Sequence, residues 1–433
     1  MIELVRKLEH PGLREGYTEY RHSSGLTILL YPKKFSMGYA MLTTRYGSLD
    51  RVFHREGEQP ITVPDGVAHF LEHKMFEEED GTDAFEKFAA LGGNANAFTS
   101  FDMTSYLFSA TDHITELLEV LISFVMHPHF TEENVEKEKG IIGQEIGMCD
   151  DRSGTRLYYS LLEGLYQKHN VRVNIAGTVS SIADITPEIL YRCYETFYHP
   201  SNMILAVCSP ISDEELLSCI DRTLGDRIQP AKPIIRIHPE EPSGIAKRMT
   251  EYSMEIARPK LAIGVKDMDV DIAPKEMLKR MLAFTILFKL FFSRSSAYFN
   301  ALYAKGLADD TLDVSYECMN SCAFVILTGE SDKPEEAAEE LEQFFRHMPM
   351  DSVTEDDFLR VKRTVYANFI RRLDSTESIA SDMTDAHLQA YTVWDMYEVL
   401  ANITLQDITL LARDFFTDKD FARVLIRPLS ADA

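Results

Sequence analysis

The sequence predicts an α+β protein of two structurally similar halves, each a mixed, mainly antiparallel sheet with helices packed on one face. Three observations support this fold class. A chain of 433 residues is too long for one ordinary hydrophobic core. Strand-like and helix-like segments mix in both halves of the chain. Segments of the first half also match segments of the second at nearly constant offsets, which indicates an internal repeat.

Local patterns predict the elements of the first half. Residues 25–32 and 38–47 are rich in β-branched and aromatic residues and are bounded by glycine or proline, which is typical of strands. Asp65 stands where a helix N-cap belongs, ahead of apolar residues at helical spacing. The elements predicted after this helix are a helix at 82–91, a strand pair at 94–109, and helices at about 112–125 and 131–149, the last capped by Thr131.

The repeat sets the predicted domain limits. Residues 185–212 align without gaps on residues 403–430, and Thr131 aligns on Thr354 at nearly the same offset. A proline-rich segment with little periodicity lies near the middle of the chain. We therefore predict an N-terminal α+β domain at 1–227, a linker at 228–248, and a C-terminal pseudo-repeat without metal ligands at 249–433.

Composition excludes several classes of function. The net charge of −25 argues against nucleic acid as a partner, because phosphates would be repelled. No stretch approaches the roughly 18 consecutive apolar residues of a membrane span, so no membrane association is expected. The charged first ten residues lack the apolar core of an export signal. The six cysteines are scattered, which suits a reducing cytoplasm, and we predict a cytoplasmic protein.

The stretch His69-Phe-Leu-Glu-His73 predicts a metal site. On a helix, residues four apart lie over one another, so both imidazoles can reach one ion at about 2.0–2.1 Å, as in zinc sites. Glu72 lies on the same side, where a carboxylate can take a proton from a zinc-bound water. Two surface histidines beside a solvated glutamate would give the same pattern. The neighbouring residues favour a largely buried helix, in which unpaired histidines and a carboxylate would be costly. These apolar neighbours are Val67, Ala68, Phe70, Leu71, Met75 and Phe76.

A second helix offers the remaining ligand. Glu138 and Glu145 are seven residues apart and so share one helix face, and Ile141, Ile142 and Ile146 make the segment apolar. Two acids on one face of a buried helix favour a bound cation. The alternative, a solvent-facing charged stripe, better fits another set of residues in this segment, namely Glu132, Glu133, Glu136 and Lys137.

These motifs resemble the pitrilysin/insulinase family of inverted-motif zinc metallopeptidases, and the length resembles its half-sized members. The resemblance implies the metallohydrolase fold of LuxS and the mitochondrial processing peptidase. Further family-like stretches lie at 25–29, 46–50, 96–106, 176–178 and 197–203. The implied zinc ligands are His69, His73 and Glu145, with Glu72 as general base and Glu138 orienting a ligand histidine. The implied substrate-binding edge strand comprises Asn94, Asn96, Ala97 and Phe98, with Asn96 bonding the peptide backbone.

One departure from the family pattern concerns residues 302–309. Family members often carry an Arg and a Tyr there that contact substrate, whereas this chain has Tyr303 and Asp309. From the motifs and the resemblance we predict a zinc endopeptidase that hydrolyses unfolded peptides in a closed chamber. From the departure we predict a dimer, either a homodimer or a heterodimer whose related chain supplies the missing pair. In a simpler alternative, Tyr303 or Lys305 substitutes locally. A further alternative is a non-catalytic peptide-binding or assembly subunit of a processing complex.

Overall fold

The structure is a computed structural model that describes residues 1–225 and 231–429, so residues 228–230 of the predicted linker lie outside the described residues. The chain forms two compact units, each assembled from three segments. The first unit comprises Met1–Ile146, Asn174–His238 and Ile370–Trp394, and the second comprises Gly147–Val173, Pro239–Phe369 and Asp395–Ala433. Each unit thus takes a segment from the opposite half of the chain. The domain limits set from the repeat stay a prediction.

The strands of the described residues agree with the strand predictions at 25–32, 38–47 and 94–109. Their bounds are β1 Ile2–His10, β2 Glu15–His22, β3 Thr27–Pro32, β4 Gly38–Thr44, β5 Val52–Arg55, β6 Ile61–Thr62, β7 Asn94–Thr99, β8 Thr104–Ala110, β9 Met203–Ser209, β10 Ile234–Arg236, β11 Met249–Met254, β12 Lys260–Asp267, β13 Asp313–Met319, β14 Cys322–Glu330 and β15 Phe421–Pro428.

The α-helices confirm the four helices predicted in the first half. Their bounds are α1 Val67–Lys74, α2 Ala84–Ala90, α3 Ile114–Met126, α4 Glu132–Asp150, α5 Ser153–Leu165, α6 Val179–Ala183, α7 Pro187–Phe197, α8 Asp213–Leu224, α9 Pro274–Phe292, α10 Ala297–Ala304, α11 Pro334–Arg346, α12 Glu355–Arg372, α13 Thr376–Leu388, α14 Val393–Asn402 and α15 Leu405–Phe416. Across residues 1–225 and 231–429, no helix combines the length and apolar character that crossing a membrane requires.

The two units share one sheet topology, which confirms the predicted similarity of the halves. In the first unit, strands run in the order β1-β2-β3-β9-β4-β8-β7, with β3 and β9 parallel and the β9-β4-β8-β7 neighbours antiparallel. The second unit repeats the last five strands as β11-β15-β12-β14-β13, again with one parallel pair. A three-stranded sheet, β10-β5-β6, completes the first unit. In this topology β7 corresponds to β13 and α1 to α9.

Both central sheets are covered on two faces. In the first unit, α1, α2 and α3 pack with one face of the sheet around the main core. The opposite face carries buried residues such as Tyr39 and Met41, and α13 packs there against β4 and β9. In the second unit α5 contacts β12 and β15 and lies against Ala422, whereas Phe345 of α11 contacts the adjacent residue Phe421, so α5 and α11 cover opposite faces. The sequence predicted helices on one face of each sheet, and the structure has them there. It also has α13 and α5 on the opposite faces, which the sequence did not predict.

Candidate metal centre

Helix α1 carries the paired histidines. Four of its apolar side chains (Val67, Ala68, Phe70 and Leu71) are buried, so the helix is anchored in the core of the first unit. The helix begins after Gly66, not after Asp65, and the predicted N-cap is wrong by one position. Gly66 has φ 92°, and a Cβ atom there would lie 2.5 Å from the Ala176 carbonyl oxygen. A left-handed backbone and this close approach both require glycine.

The histidine rings of α1 lie next to each other on one face of the helix, as the four-residue spacing predicts. The ring centroids of His69 and His73 are 4.7 Å apart. Burial, aided by the neighbouring His73 ring, lowers the pKa of His69 to about 4. The His69 imidazole is therefore neutral near pH 7, which is the form that binds a metal.

Helix α4 brings Glu145 to the two imidazoles. The Glu145 carboxylate oxygens lie 3.7 Å from His69 Nε2 and 3.5 Å from His73 Nε2. One ligand atom from each of the three residues lies within 4.8 Å of the other two. A tetrahedral zinc ion at roughly 2.0–2.1 Å from its ligands separates ligand atoms by about 3.3 Å. The imidazole and carboxylate donors, and their spacing, therefore fit a zinc ion.

Helix α4 is amphipathic rather than fully buried. Ile142 and Ile146 are buried beneath the cluster, and Thr131 caps the helix by accepting from the Asn134 backbone N–H at 3.2 Å. Ile141, which was predicted to contribute to the apolar side of the helix with Ile142 and Ile146, is 47% exposed. A helix turns 100° per residue, so Ile141 and Ile142 cannot both face the core. The two glutamates still face α1.

Glu138 contacts His73 on the side away from Glu145. His73 Nδ1 lies 3.1 Å from Glu138 Oε1, and the ring nitrogen donates because an ionised carboxylate carries no proton. Burial alone would lower the pKa of His73, but the Glu138 bond and the nearby carboxylates raise it overall. For Glu138 the directions are reversed: burial alone would raise the pKa of the carboxyl group, but the His73 bond and the Lys74 charge lower it overall. Glu138 is thus an ionised partner that fixes the ring orientation.

Glu72 has a hydrogen-bond partner, Thr99, that was not predicted from the sequence. Thr99 Oγ1 donates to Glu72 Oε2 at 2.6 Å, and Thr104 Oγ1 lies 3.3 Å from Thr99 Oγ1. Burial raises the pKa of Glu72, and the Thr99 bond offsets part of that shift. A raised carboxyl pKa brings the group closer to neutral pH, where a general base is most effective. The alternation of side chains along β7 could have indicated this contact. Thr99 lies on the same strand face as Ala97, which was already predicted to belong to the site.

The predicted substrate-binding residues lie on β7, the last strand of its sheet in the described part of the chain. Asn94, Asn96 and Phe98 are exposed. The Ala97 backbone N–H donates to the Asn96 side-chain oxygen at 2.9 Å, so it points away from β8. A cavity of about 480 Å³ opens beside this edge, and Glu72, His73, Phe76, Asn96, Ala97 and Ile141 are among its lining residues.

The residues at the family Arg and Tyr positions lie in the second unit. Tyr303, on α10, is 59% exposed. Asp309 forms an ion pair with Arg258. Lys305 Nζ contacts Glu340 at 3.1 Å. Asp309 and Lys305 are thus engaged in ion pairs within the second unit.

A two-unit α+β fold, with three side chains on one unit whose donor atoms could hold a metal ion, places this protein among candidate metalloproteins. Residues 63–179 match the family model described as Insulinase (Peptidase family M16), and residues 184–365 match the model described as Peptidase M16 inactive domain. The chain belongs to the insulinase family, peptidase family M16. This confirms the resemblance inferred from the motifs.

Relatives and solved structures extend this assignment over the whole chain. The chain is 39% identical over 408 residues to "Uncharacterized zinc protease YmfH" of Bacillus subtilis (strain 168), covering 94% of this chain and 95% of that protein. A solved putative M16-like peptidase from Alicyclobacillus acidocaldarius is 33% identical with a TM-score of 0.92, covering 98% of this chain and 100% of that one. A protease from Helicobacter pylori, 18% identical with a TM-score of 0.81 over 96% of this chain and all of that one, shows the fold alone.

Proposed function

We propose that this protein is a zinc-dependent endopeptidase that hydrolyses unfolded peptides. The observation that carries the proposal is the convergence of His69, His73 and Glu145 from two helices, with Glu72 beside them. His69, His73 and Glu145 would hold the zinc ion. When bound there, zinc supplies a Lewis acid that polarises the scissile carbonyl and lowers the pKa of water. The names of the relatives, among them two Bacillus subtilis zinc proteases, support the same metal.

The chain's own residues supply proton transfer and orientation. Glu72 accepts a proton from the attacking water and later delivers it to the leaving amine. Thr99 holds one Glu72 oxygen at 2.6 Å, which limits the carboxylate to one orientation. Glu138 holds the His73 ring so that Nε2 is directed to the metal position. Burial of these groups strengthens their electrostatic interactions by excluding water.

We further propose that the substrate adds as a strand to the edge of β7. An extended peptide can bond the outward backbone groups of β7, and Asn96 can contact the peptide backbone. The Ala97 N–H is one outward donor, since its partner is the Asn96 side chain and not β8. Recognition through the backbone tolerates many sequences, which suits unfolded peptides. Asn94 and Phe98 would flank the bound peptide at this edge.

Substituting Ala97→Pro tests this binding mode. Proline removes the outward N–H, and an edge strand tolerates proline where that N–H faces away from the sheet. We expect KM to rise by up to about tenfold, the value of one hydrogen bond, with a smaller change in kcat. Steady-state kinetics on a fluorogenic unstructured peptide measure this. Ala97→Ser keeps the N–H and is the matched control. A correctly folded proline variant with unchanged KM would refute strand addition at Ala97.

The complete site is proposed to need a second, related chain. This chain has Tyr303 and Asp309 where family members often carry an Arg and a Tyr, and Asp309 is already paired with Arg258. A partner supplying that pair would complete the chamber around the substrate. The alternative, a non-catalytic peptide-binding or assembly subunit, is favoured by the same departure but leaves the converging ligand cluster without a role.

One assay series distinguishes these functions. The purified full chain is incubated with a pool of unstructured peptides, alone and with a related chain from the same cell, before and after chelation and zinc restoration. We expect zinc-dependent cleavage that the related chain increases by about 100-fold or more, as expected for restored oxyanion donors. Full turnover by the chain alone would contradict the partner requirement. Zinc binding without cleavage in every mixture would favour the non-catalytic subunit.

A further inference from the structure

Lys74 is a buried charge directly after the paired histidines. Its residue exposure is 1%, which is unusual for lysine. Its Nζ atom donates to Glu77 Oε2 at 2.5 Å and to Glu138 Oε2 at 3.3 Å. A buried ammonium group is costly unless it is paired, and Lys74 is paired twice. Such a group, held beside the metal cluster, suggests a specific role.

Glu138 lies between Lys74 and His73. One carboxylate oxygen accepts from His73 Nδ1 at 3.1 Å, and the other accepts from Lys74 Nζ at 3.3 Å. Both oxygens are thus fixed, and the carboxylate cannot rotate without losing one of the two bonds. His69 Nδ1, in contrast, is buried with no hydrogen-bond partner among the described residues. Of the two candidate ligand rings, His73 is therefore the one whose orientation is set by a side-chain hydrogen bond, and Glu138 supplies that bond.

We propose that Lys74 and Glu77 form a positioning pair that locks Glu138, so that His73 keeps Nε2 directed to the metal. This inference rests on the proposed zinc site and names how the chain sets its geometry. Glu77, whose side chain is 34% exposed, holds Lys74 from the outer side. The chain of contacts runs from Glu77 through Lys74 and Glu138 to His73. Neither Lys74 nor Glu77 is a metal ligand or a catalytic residue in this proposal.

Simple electrostatics predicts that two variants change zinc affinity in opposite directions, whereas positioning predicts that both lower it. Lys74→Met removes a positive charge near the site, and charge alone would then strengthen binding of a divalent cation. Glu77→Gln removes a negative charge, and charge alone would then weaken binding. If the pair instead positions Glu138, both substitutions loosen the same carboxylate. Both variants should then weaken zinc binding, by on the order of tenfold, the lower end for outer partners of ligand histidines.

The experiment measures zinc affinity of the full chain by competition with a chromophoric chelator. Lys87→Met is the matched control, because Lys87 forms a similar ion pair with Glu78 but does not contact Glu138. We expect Lys74→Met and Glu77→Gln to lose affinity and Lys87→Met to keep it. Opposite changes in the two variants, or no change in either, would overturn the proposal. If Lys74→Met fails to fold, the cobalt spectrum of Glu77→Gln decides, because loss of a charge alone would lower affinity without changing ligand geometry, and Glu77 is partly exposed and tolerates substitution.

A spectroscopic measurement separates ring orientation from stability. Cobalt substituted for zinc has visible absorption bands that report ligand geometry. We expect these bands to change in Glu77→Gln and Lys74→Met and to stay as in the unaltered protein in Lys87→Met. Unaltered bands in folded variants would contradict the positioning role. If the unaltered protein binds neither metal, the proposed zinc function itself fails. If it binds zinc and only Glu145→Gln weakens binding, the positioning inference alone fails.

Discussion

Replacing Glu72 by glutamine is expected to abolish peptide hydrolysis while leaving zinc bound. The amide oxygen can still accept the Thr99 hydrogen bond, so the local geometry is retained. The amide cannot accept the proton of the attacking water, and loss of a general base costs about 100- to 10,000-fold. The measurements are kcat/KM on a fluorogenic peptide and the zinc content of the purified variant.

Glu86→Gln is the matched control for this substitution. Glu86 is exposed on α2, and its replacement should leave both activity and zinc content unchanged. Hydrolysis at the normal rate by the Glu72 variant would rule out Glu72 as the base. Loss of zinc together with activity would show that Glu72 instead supports metal binding.

The second large effect is expected for Glu145→Gln, which should release the metal. Glu145 supplies the one carboxylate of the cluster, and a neutral amide is a poor zinc ligand. Mutating a residue that only hydrogen-bonds a metal ligand typically lowers metal affinity by roughly 10–100-fold. Because Glu145 is proposed to bind zinc itself, we expect a larger loss of zinc affinity, and a loss of activity with it. Chelator competition and metal analysis after dialysis measure this loss.

Gln144→Ala serves as the control for Glu145→Gln, because Gln144 is the exposed neighbour on the same helix. Glu145→Asp keeps a carboxylate on a shorter side chain and should retain part of the affinity. Without metal, the unaltered protein and the two Glu145 variants should have nearly the same melting temperature. The Glu145 side chain is 35% exposed, so neither replacement leaves a buried cavity. Full zinc occupancy in Glu145→Gln would contradict the assignment of Glu145 as a ligand.

Spacing along a helix was enough to group the candidate site residues on their helices. His69 and His73 share a face of α1, and Glu138 and Glu145 share a face of α4, because side-chain direction in a helix depends only on residue number. That α4 meets α1 was a hypothesis based on two acids sharing one face of an apolar helix, and the family resemblance implied the particular ligands. The structure shows this meeting directly, with Glu145 within 3.7 Å of His69.

Two local predictions failed for identifiable reasons. Asp65 has the chemistry of an N-cap, but the close approach of the Ala176 carbonyl selects Gly66 for that position. Ile141 was grouped with its buried neighbours by composition, although helical rotation turns it to solvent. In both cases residue type favoured one outcome, and packing against a segment distant in sequence or the geometry of the helix decided another.

The sequence by itself determined the strands at 25–32, 38–47 and 94–109, the four helices predicted in the first half, and which side chains share a helix face, because these depend on neighbours within a few residues. It also indicated the repeat, through segments that match at nearly constant offsets. Only the tertiary structure decided that Thr99 holds Glu72, that Lys74 bonds Glu138, and that α13 covers the sheet of the first unit. These contacts join residues far apart in sequence. They form because buried polar groups and exposed sheet faces need partners, and which partner is within reach depends on how the whole chain packs.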